Sequence, residues 1–330
     1  MAKEIVSPSE LMEMVNAFRI SKIILSAYEL GIFSIFKDHS LSSTKLAETM
    51  KMNIRSTDRF LNALVALGLL KKINEQFSNT PFSLKYLVRD EPDYLAGLSH
   101  QVHLWKTWST LTDAVKAGTT VAVEESIGER GEEWLRSFIA AMHSRAVPQS
   151  KEVADIIDLS KTRSVLDVGG GSGAFSLEFV RRNKEMKAVV FDLPAVVTLT
   201  QKYIDKAGLT SSVITKAGDY LLDNFGYGYD LVFVSAVIHI NSPEENQALI
   251  SKCAGSLNPK GQLIILDHFM NDERTEPVTG AIFALNMLVG TEHGDTYTEK
   301  EVRSWMLDAG LRQISRKETL HGTSLMIGIK

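Results

Sequence analysis

The chain has 330 residues, 44% of them apolar, and a formal net charge of −4; that is enough apolar sequence for two packed domains and lacks the basic excess a nucleic-acid partner requires. Its one cysteine, Cys253, excludes an intrachain disulfide and gives no sign of an oxidising compartment. The start MAKEIVSPSE has no long apolar run after its charges, and no stretch nears the roughly 18 uncharged apolar residues of a membrane span, so a cytoplasmic protein without membrane contact is expected.

Along the chain, LMEMVNAFRISKIILSAYELGIF places Leu11, Met14, Val15, Phe18 and Ile24 at helical spacings, with Gly31 as a stop. LSSTKLAETMKM and STDRFLNALVALGLL read as two further helices, begun by Ser42 or Ser43 and by Ser56 or Thr57; Gly68 ends the second. KKINEQFSNTPFSLKYL follows as a hairpin-like segment. Three helices and a small wing make a winged-helix order, with two readings: DNA binding, or a structural and dimerising role. Residues 40–90 carry 8 Lys and Arg against 4 Asp and Glu, and the second helix runs into NALVALGLL, which belongs in a core or interface. Dimerisation is favoured. Residues 92–147 are helical again, with Trp105, Trp108, Trp134, Phe138 and Met142 on faces that read as core.

From Arg163 the pattern changes to apolar strands alternating with amphipathic helices: SVLDVG, KAVVFDLP, SVITKAG, YDLVFVSAVIH and GQLIILDHF. This predicts an α/β fold with a parallel, doubly wound, Rossmann-like sheet. The last segment, RQISRKETLHGTSLMIGIK, reads as two strands joined at His321-Gly322, closing the sheet as an antiparallel hairpin.

VLDVGGGSGAF is the most informative stretch. Gly169, Gly171 and Gly173 leave the first strand and enter a helix near Ala174, so a ligand can approach the main chain and the free N–H groups closely. Asp192, ending the next strand, can accept both hydroxyls of a ribose. The spacing also satisfies the dinucleotide pattern, which keeps a nicotinamide enzyme in view. Two features favour S-adenosylmethionine: Asp167, two residues before Gly169, can bind an ammonium, and AGDY places Asp219 to accept an adenine amino group with Tyr220 against the ring. The glycine loop also lies late in the chain, with one sheet behind it.

LDVGGGSGAFS, FDLPAVV, AGDY and LNPKGQLIILD resemble the successive cofactor-domain motifs of the two-domain S-adenosylmethionine-dependent O-methyltransferases, a family that includes the caffeic acid, hydroxyindole and bacterial polyketide enzymes. SFIAAMHSRA and LNMLVGTEHGDTYTEKEV resemble its substrate-lining helix and its late helix and loop. The resemblance implies a winged-helix-like dimerisation domain over 1–91, a helical connector lining the substrate pocket over 92–160 and a catalytic domain over 161–330, assembled as an intertwined homodimer. It implies Asp167, Gly169, Gly171, Asp192, Leu193, Gly218, Asp219, Tyr220 and Ser235 around S-adenosylmethionine. Phe138, Met142, Phe283, Met287 and Thr291 match its substrate-lining positions, which implies an apolar pocket for a flat aromatic acceptor with a hydroxyl; ordinary helix packing is their other reading.

His239, at the end of VFVSAVIH, aligns with the family's catalytic histidine, and a base of near-neutral pKa suits removal of a phenol's proton. The family's His-Asp-Trp is His239-Ile240-Asn241 here, and Asp267 stands where Glu is usual, one methylene shorter. Thr296 replaces the family's second carboxylate. His239 paired with Asp267 is the expected catalytic couple; a packed histidine, with catalysis by proximity alone, is the alternative. By the resemblance His143 and His293 fall on pocket-lining segments where each could touch substrate, a solvated or structural histidine being the favoured reading; His268 reads as facing away from Asp267's side of the strand, and His100 with His103 as an incomplete ligand set, so no metal is expected. Methylation at N, S or C on the same fold, and a non-catalytic S-adenosylmethionine-responsive regulator, are the competing functions.

Overall fold

In the computed structural model, which describes residues 4–122, 131–320 and 322–330 (of Glu133 the backbone alone), the N-terminal apolar periodicity is divided between two helices. α1 (Pro8–Asn16) starts on Ser7, whose hydroxyl accepts from the Glu10 N–H at 3.2 Å, with Pro8 at the first helical position. α2 (Phe18–Glu29) follows, and Gly31, at φ +68°, turns the chain into the short α3 (Ile32–Ile35). β1 (Leu41–Ser42) runs into α4 (Ser43–Met50), capped by Ser42 as expected.

α5 (Ile54–Ala66) starts earlier than the sequence suggested. The Asn53 side chain accepts from the Ser56 N–H at 3.2 Å, while the hydroxyls of Ser56 and Thr57 turn back to the Asn53 carbonyl at 3.1 and 2.9 Å. β2 (Leu70–Ile73) and β3 (Gln76–Asn79) form an antiparallel hairpin whose two turn residues, Asn74 and Glu75, both have positive φ; β1 pairs on the far side of β3. The hairpin-like segment does not extend to Leu87. Thr80 accepts from the Ser83 N–H at 3.3 Å and Pro81 takes the first helical position, which starts α6 (Pro81–Tyr86). Ile32, Phe33, Leu46, Leu61, Leu64 and Phe77 are buried at the centre of this winged-helix core, each contributing about 2 kcal/mol by area. α1 buries no side chain, and Leu11, Met12, Met14 and Val15 on it are exposed.

α7 (Leu98–Trp108), α8 (Leu111–Ala117) and α9 (Gly131–Ile156) come next. The chain forms two compact units, the first ending at Trp105 and the second running Lys106–Lys330.

The second unit continues with β4 (Ser164–Val168), α10 (Ala174–Arg182), β5 (Lys187–Asp192), α11 (Pro194–Ala207), β6 (Val213–Ala217) and β7 (Tyr229–Ser235). A 3-10 turn (Ile238–Ile240), α12 (Pro243–Ser256), β8 (Leu257–Asp267), β9 (Phe269–Met270), α13 (Val278–Gly290), β10 (Tyr297–Thr298), α14 (Glu299–Asp308), β11 (Arg312–Glu318) and β12 (Ser324–Ile329) complete it. Seven strands lie in the order β11-β12-β8-β7-β4-β5-β6. β4 to β8 are parallel, and β12 runs antiparallel to both β8 and β11. This is the doubly wound sheet with its terminal hairpin that the alternating pattern predicted; His321, expected in the connecting turn, lies outside the described residues.

Strand periodicity explains the layering. Leu166, Val168, Val232, Val234, Leu263 and Ile265 face one side and pack on Leu249, Ile250 and Cys253 of α12 and Val302, Trp305 and Met306 of α14. Val165, Leu231, Phe233, Ile264 and Leu266 face the other and pack on α9, α10 and α11. With both faces covered, the strands read as nearly unbroken apolar runs. The chain steps outward from β4 to β6 and then crosses back to β7, so the order reverses beside β4 and leaves a crevice at the carboxyl ends of β4 and β7. Among the described residues no helix is long and apolar enough to cross a membrane.

Candidate active site

The carboxyl edge of the sheet gathers the sequence-predicted residues strand by strand. Gly169 and Gly171 follow β4, at φ +65° and +56°, values that favour glycine. A Cβ on Gly169 would stand 2.6 Å from Val237, and one on Gly170 would stand 2.7 and 2.8 Å from Val190 and Asp167. At Gly171 the same position is open space. The loop is therefore packed below and bare above, where a ligand can reach the main chain.

Asp192, at the end of β5, accepts the Gly171 N–H and the Leu193 N–H, each at 2.8 Å. Burial nevertheless pushes its carboxyl upward. The Gly218 N–H donates to the Asp192 carbonyl at 2.9 Å, which draws the loop after β6 toward the same edge; the Phe191 ring leaves no room for a side chain at Gly218. Asp219 is partly committed to that loop, accepting the Leu221 N–H at 2.8 Å, and the Tyr220 hydroxyl donates to Asn241 Oδ1 at 2.9 Å. Ser235 ends β7, half-buried, with Leu266 of β8 as its neighbour in the ladder.

Asp167 lies deeper, 1% exposed beneath Gly170. One oxygen accepts the Ser176 hydroxyl at 2.7 Å; Oδ1 is buried without a partner. Burial raises its pKa from an ordinary 3.8 to about 7, with the Asp192 charge adding to that. An open glycine cradle, a carboxylate with acceptor capacity left at its edge, and an orphaned carboxylate oxygen below together suit a ligand carrying hydroxyls and a cation. The residues present fit S-adenosylmethionine.

His239 is not at the end of a strand. β7 stops at Ser235, Ala236 adopts φ +56° while its N–H makes the last bond to Leu266, and His239 sits in the 3-10 turn that follows. The turn lifts the imidazole onto the end of β8. Its Nδ1 lies 2.8 and 3.0 Å from the two oxygens of Asp267, so the shorter side chain does reach. Both residues are buried. Burial opposes the Asp267 charge, but His239 and the His268 N–H, at 2.8 Å, more than offset it and hold the carboxyl below its ordinary value. A carboxylate only accepts, so Nδ1 carries a hydrogen, and in the neutral ring Nε2 is the nitrogen left with the lone pair.

Phe283 of α13 meets the His239 ring edge-on at 4.8 Å between centroids. It also meets the His268 ring at 4.6 Å. His268 was expected to face away from this side; strand alternation fails because β8 ends at Asp267, and Nδ1 of His268 donates to the Gly322 carbonyl at 3.0 Å. Met287 is buried on α13. The Thr291 hydroxyl is occupied at the helix end, donating to the Met287 carbonyl at 2.8 Å and accepting the Gly294 N–H at 2.9 Å. Phe138 stacks on Trp134 at 5.1 Å, in an apolar group with Ile139, Leu193, Val196 and Leu199. Met142 is half-buried on α9. Thr296, 2% exposed, bonds the Gly280 carbonyl at 3.4 Å and makes no bond to His239.

Two residues join the glycine loop from the helices: His143, which the sequence left as a solvated, structural or substrate-touching histidine, and Thr200, which it did not single out. His143 approaches the Ser172 hydroxyl of the glycine loop through Nδ1 at 2.8 Å and packs on Tyr203, and burial, aided by Lys206 and Arg181, lowers its pKa. Thr200 donates to the Gly171 carbonyl at 2.5 Å. His143 lies in SFIAAMHSRA and Thr200 in no motif; helix packing brings α9 and α11 to the loop. Among the described residues, no group of three or more His, Cys, Asp or Glu side chains is placed to hold a metal ion.

Residues 108–312 match the O-methyltransferase domain and residues 12–89 the O-methyltransferase dimerisation domain. The chain is 30% identical to the 3-hydroxy-5-methyl-1-naphthoate 3-O-methyltransferase of Streptomyces sahachiroi, over 93% of this chain and 90% of that one. It is 27% identical to the tetracenomycin polyketide synthesis 8-O-methyl transferase of Streptomyces glaucescens, over 98% and 97%. The solved structure of an O-methyltransferase family protein from Burkholderia thailandensis superposes with a TM-score of 0.87 at 26% identity, over 99% of each chain.

Proposed function

The chain belongs to the family of S-adenosylmethionine-dependent O-methyltransferases that carry this dimerisation domain, and on that premise we propose that its acceptor is a flat aromatic hydroxyl compound deprotonated by His239. The observation that carries this reading is the buried His239–Asp267 pair at 2.8 Å, at the carboxyl edge of the sheet and against Phe283.

When bound, S-adenosylmethionine supplies a methyl group already activated on a sulfonium sulfur. Gly171 and Asp192 are the residues to hold its nucleoside, with Leu193, Gly218, Asp219, Tyr220 and Ser235 around them and Asp167 toward its ammonium. Asp267 keeps the hydrogen on Nδ1 of His239, and Nε2 takes the acceptor's hydroxyl proton as the oxygen becomes nucleophilic. The Asp267 charge then stabilises the imidazolium that forms. Phe283 and Met287 give the pocket an apolar wall suited to a flat ring. The naphthoate and tetracenomycin acceptors named for two relatives support the aromatic class. The row of exposed apolar side chains on α1 supports a homodimer, since such a row is ordinarily covered.

The test is incubation with S-adenosylmethionine and a panel of phenols and polycyclic hydroxyarenes, read by mass. A gain of one methyl on oxygen is expected. His239→Ala should cut turnover about 10²- to 10⁴-fold and leave affinity for S-adenosylhomocysteine nearly unchanged. A loss below tenfold would leave proximity as the whole of the chemistry.

A further inference from the structure

The 3-10 turn that carries His239 hangs between β7 and α12 with no strand ladder to hold it, yet the carbonyls of Ile238 and His239, and that of Asn241 just beyond, are engaged from outside. Asn246 Nδ2 donates to the Ile238 carbonyl at 2.8 Å. The Asp295 N–H donates to the His239 carbonyl at 3.0 Å, and the Tyr297 hydroxyl donates to the Asn241 carbonyl. Asn241 and Asn246 are 3% and 0% exposed.

The side chains form a chain with one direction. A carbonyl only accepts, so Asn246 must turn its amide nitrogen to Ile238 and its oxygen to Asn241 Nδ2, at 3.2 Å. Asn241 Oδ1 then faces Tyr220, whose hydroxyl donates at 2.9 Å. Burial and the nearby Asp219 and Asp192 raise the Tyr220 hydroxyl to about 12, which keeps it a donor. The path runs from the loop after β6, where the nucleoside residues lie, to the backbone of the residue before His239.

We propose that Asn241 is a positioning residue that couples Tyr220 in the cofactor loop to the turn carrying His239. It occupies the third place of the His-Ile-Asn sequence that departs from the family's His-Asp-Trp, and an indole there has no oxygen to accept the Tyr220 hydroxyl. Ordering of Tyr220 by a nucleoside is transmitted through Asn241 and Asn246 to the Ile238 carbonyl, and fixes where the imidazole points. The consequence for turnover rests on the general-base reading of His239; the coupling itself does not.

The experiment has two arms. Hydrogen exchange of the segment 236–242 is measured in the wild type and in Tyr220→Phe, each with and without saturating S-adenosylhomocysteine. The nucleoside should slow exchange severalfold in the wild type and by less than twofold in the variant, which retains the ring and loses only the hydroxyl. Equal protection in both would overturn the coupling. Turnover is then compared in a double-mutant cycle. Tyr220→Phe should lower kcat about five- to tenfold, with affinity for S-adenosylhomocysteine held within twofold, and Asn241→Leu should do the same or more. In the His239→Ala background Tyr220→Phe should change kcat by less than twofold. An equal loss in both backgrounds would mean that Asn241 does not act through His239. Undiminished turnover of His239→Ala alone would overturn the general-base reading and leave the exchange arm to decide the coupling.

Discussion

Asp267→Asn changes one atom in the pair on which the proposed chemistry rests. In the native pair both carboxylate oxygens lie within hydrogen-bond distance of His239 Nδ1, at 2.8 and 3.0 Å, and Oδ1 also accepts the His268 N–H at 2.8 Å. An asparagine has one oxygen for these two donors. If it serves the His268 N–H, its amide nitrogen faces Nδ1 and drives the hydrogen to Nε2, the atom that must accept the acceptor's proton. A charge-assisted bond of about 1.5–3 kcal/mol to the imidazolium is lost as well, which alone is worth about ten- to 150-fold in rate. A fall in kcat of about 10²-fold is expected, with affinity for S-adenosylhomocysteine, measured by calorimetric titration, changed less than twofold. Asp267→Glu, which restores a carboxylate, should recover part of the loss. Stability should move too. The folded carboxyl is held below its ordinary value, so its stabilising contribution is present above that value and lost as pH falls through the folded one. The gap in melting temperature between wild type and Asp267→Asn should therefore close on acidification below about pH 4. A kcat within threefold of wild type at neutral pH would refute the role given to this pair.

Three further outcomes follow from the cofactor edge and the turn. Asp192→Ala removes the acceptor for the Gly171 and Leu193 N–H groups and should weaken S-adenosylhomocysteine about ten- to 100-fold by titration calorimetry; undiminished affinity would mean that the nucleoside lies elsewhere. Asp167, raised to about 7 in the fold, favours the folded state while protonated, a contribution complete below about pH 4 and lost as pH rises toward 7. The ligand's ammonium instead favours the ionised form, so S-adenosylhomocysteine should bind up to about tenfold more tightly per pH unit between 5 and 7. Asp167→Asn should flatten both trends, and an unchanged affinity slope would remove the ammonium contact. Gly294→Ala puts a Cβ 2.5 Å from the His239 carbonyl oxygen and against the Thr291 hydroxyl, so the loop must shift. A loss of about 1–3 kcal/mol in a denaturant melt is expected, together with a fall in kcat; wild-type values in both would show that the loop has room.

Much of the sheet was legible because its signals are local. VVF, LVFV and LIIL are apolar at every position and VLDV at all but Asp167, as suits strands covered on both faces, and the glycine run marks a place where backbone has to be bare. Helix starts were less secure: Ser56 and Thr57 look like caps, but Asn53 lies one turn earlier and wins because their hydroxyls bond back to it. Thr80-Pro81 ended the wing sooner than its strand-like residues suggested. At the site, Gly169, Gly171, Asp192 and Asp267 stood in motifs, whereas Thr200 and Asn246 stood in none, and His143 stood in one without its contact to the glycine loop being legible.

The chain's own order of residues determined the layered architecture, the glycine cradle and which carboxylates end which strands, because each follows from a period of two or from the steric freedom of single positions. Only the tertiary structure decided that His239 leaves its strand for a turn, that Asp267 reaches it with one methylene less than the family's usual Glu, that His268 comes round to Phe283, and that Tyr220 meets Asn241. These contacts join residues 21 to 28 positions apart, or elements as far apart as β8 and α13. Their geometry is set by how helices pack on a finished sheet, and no local pattern carries that.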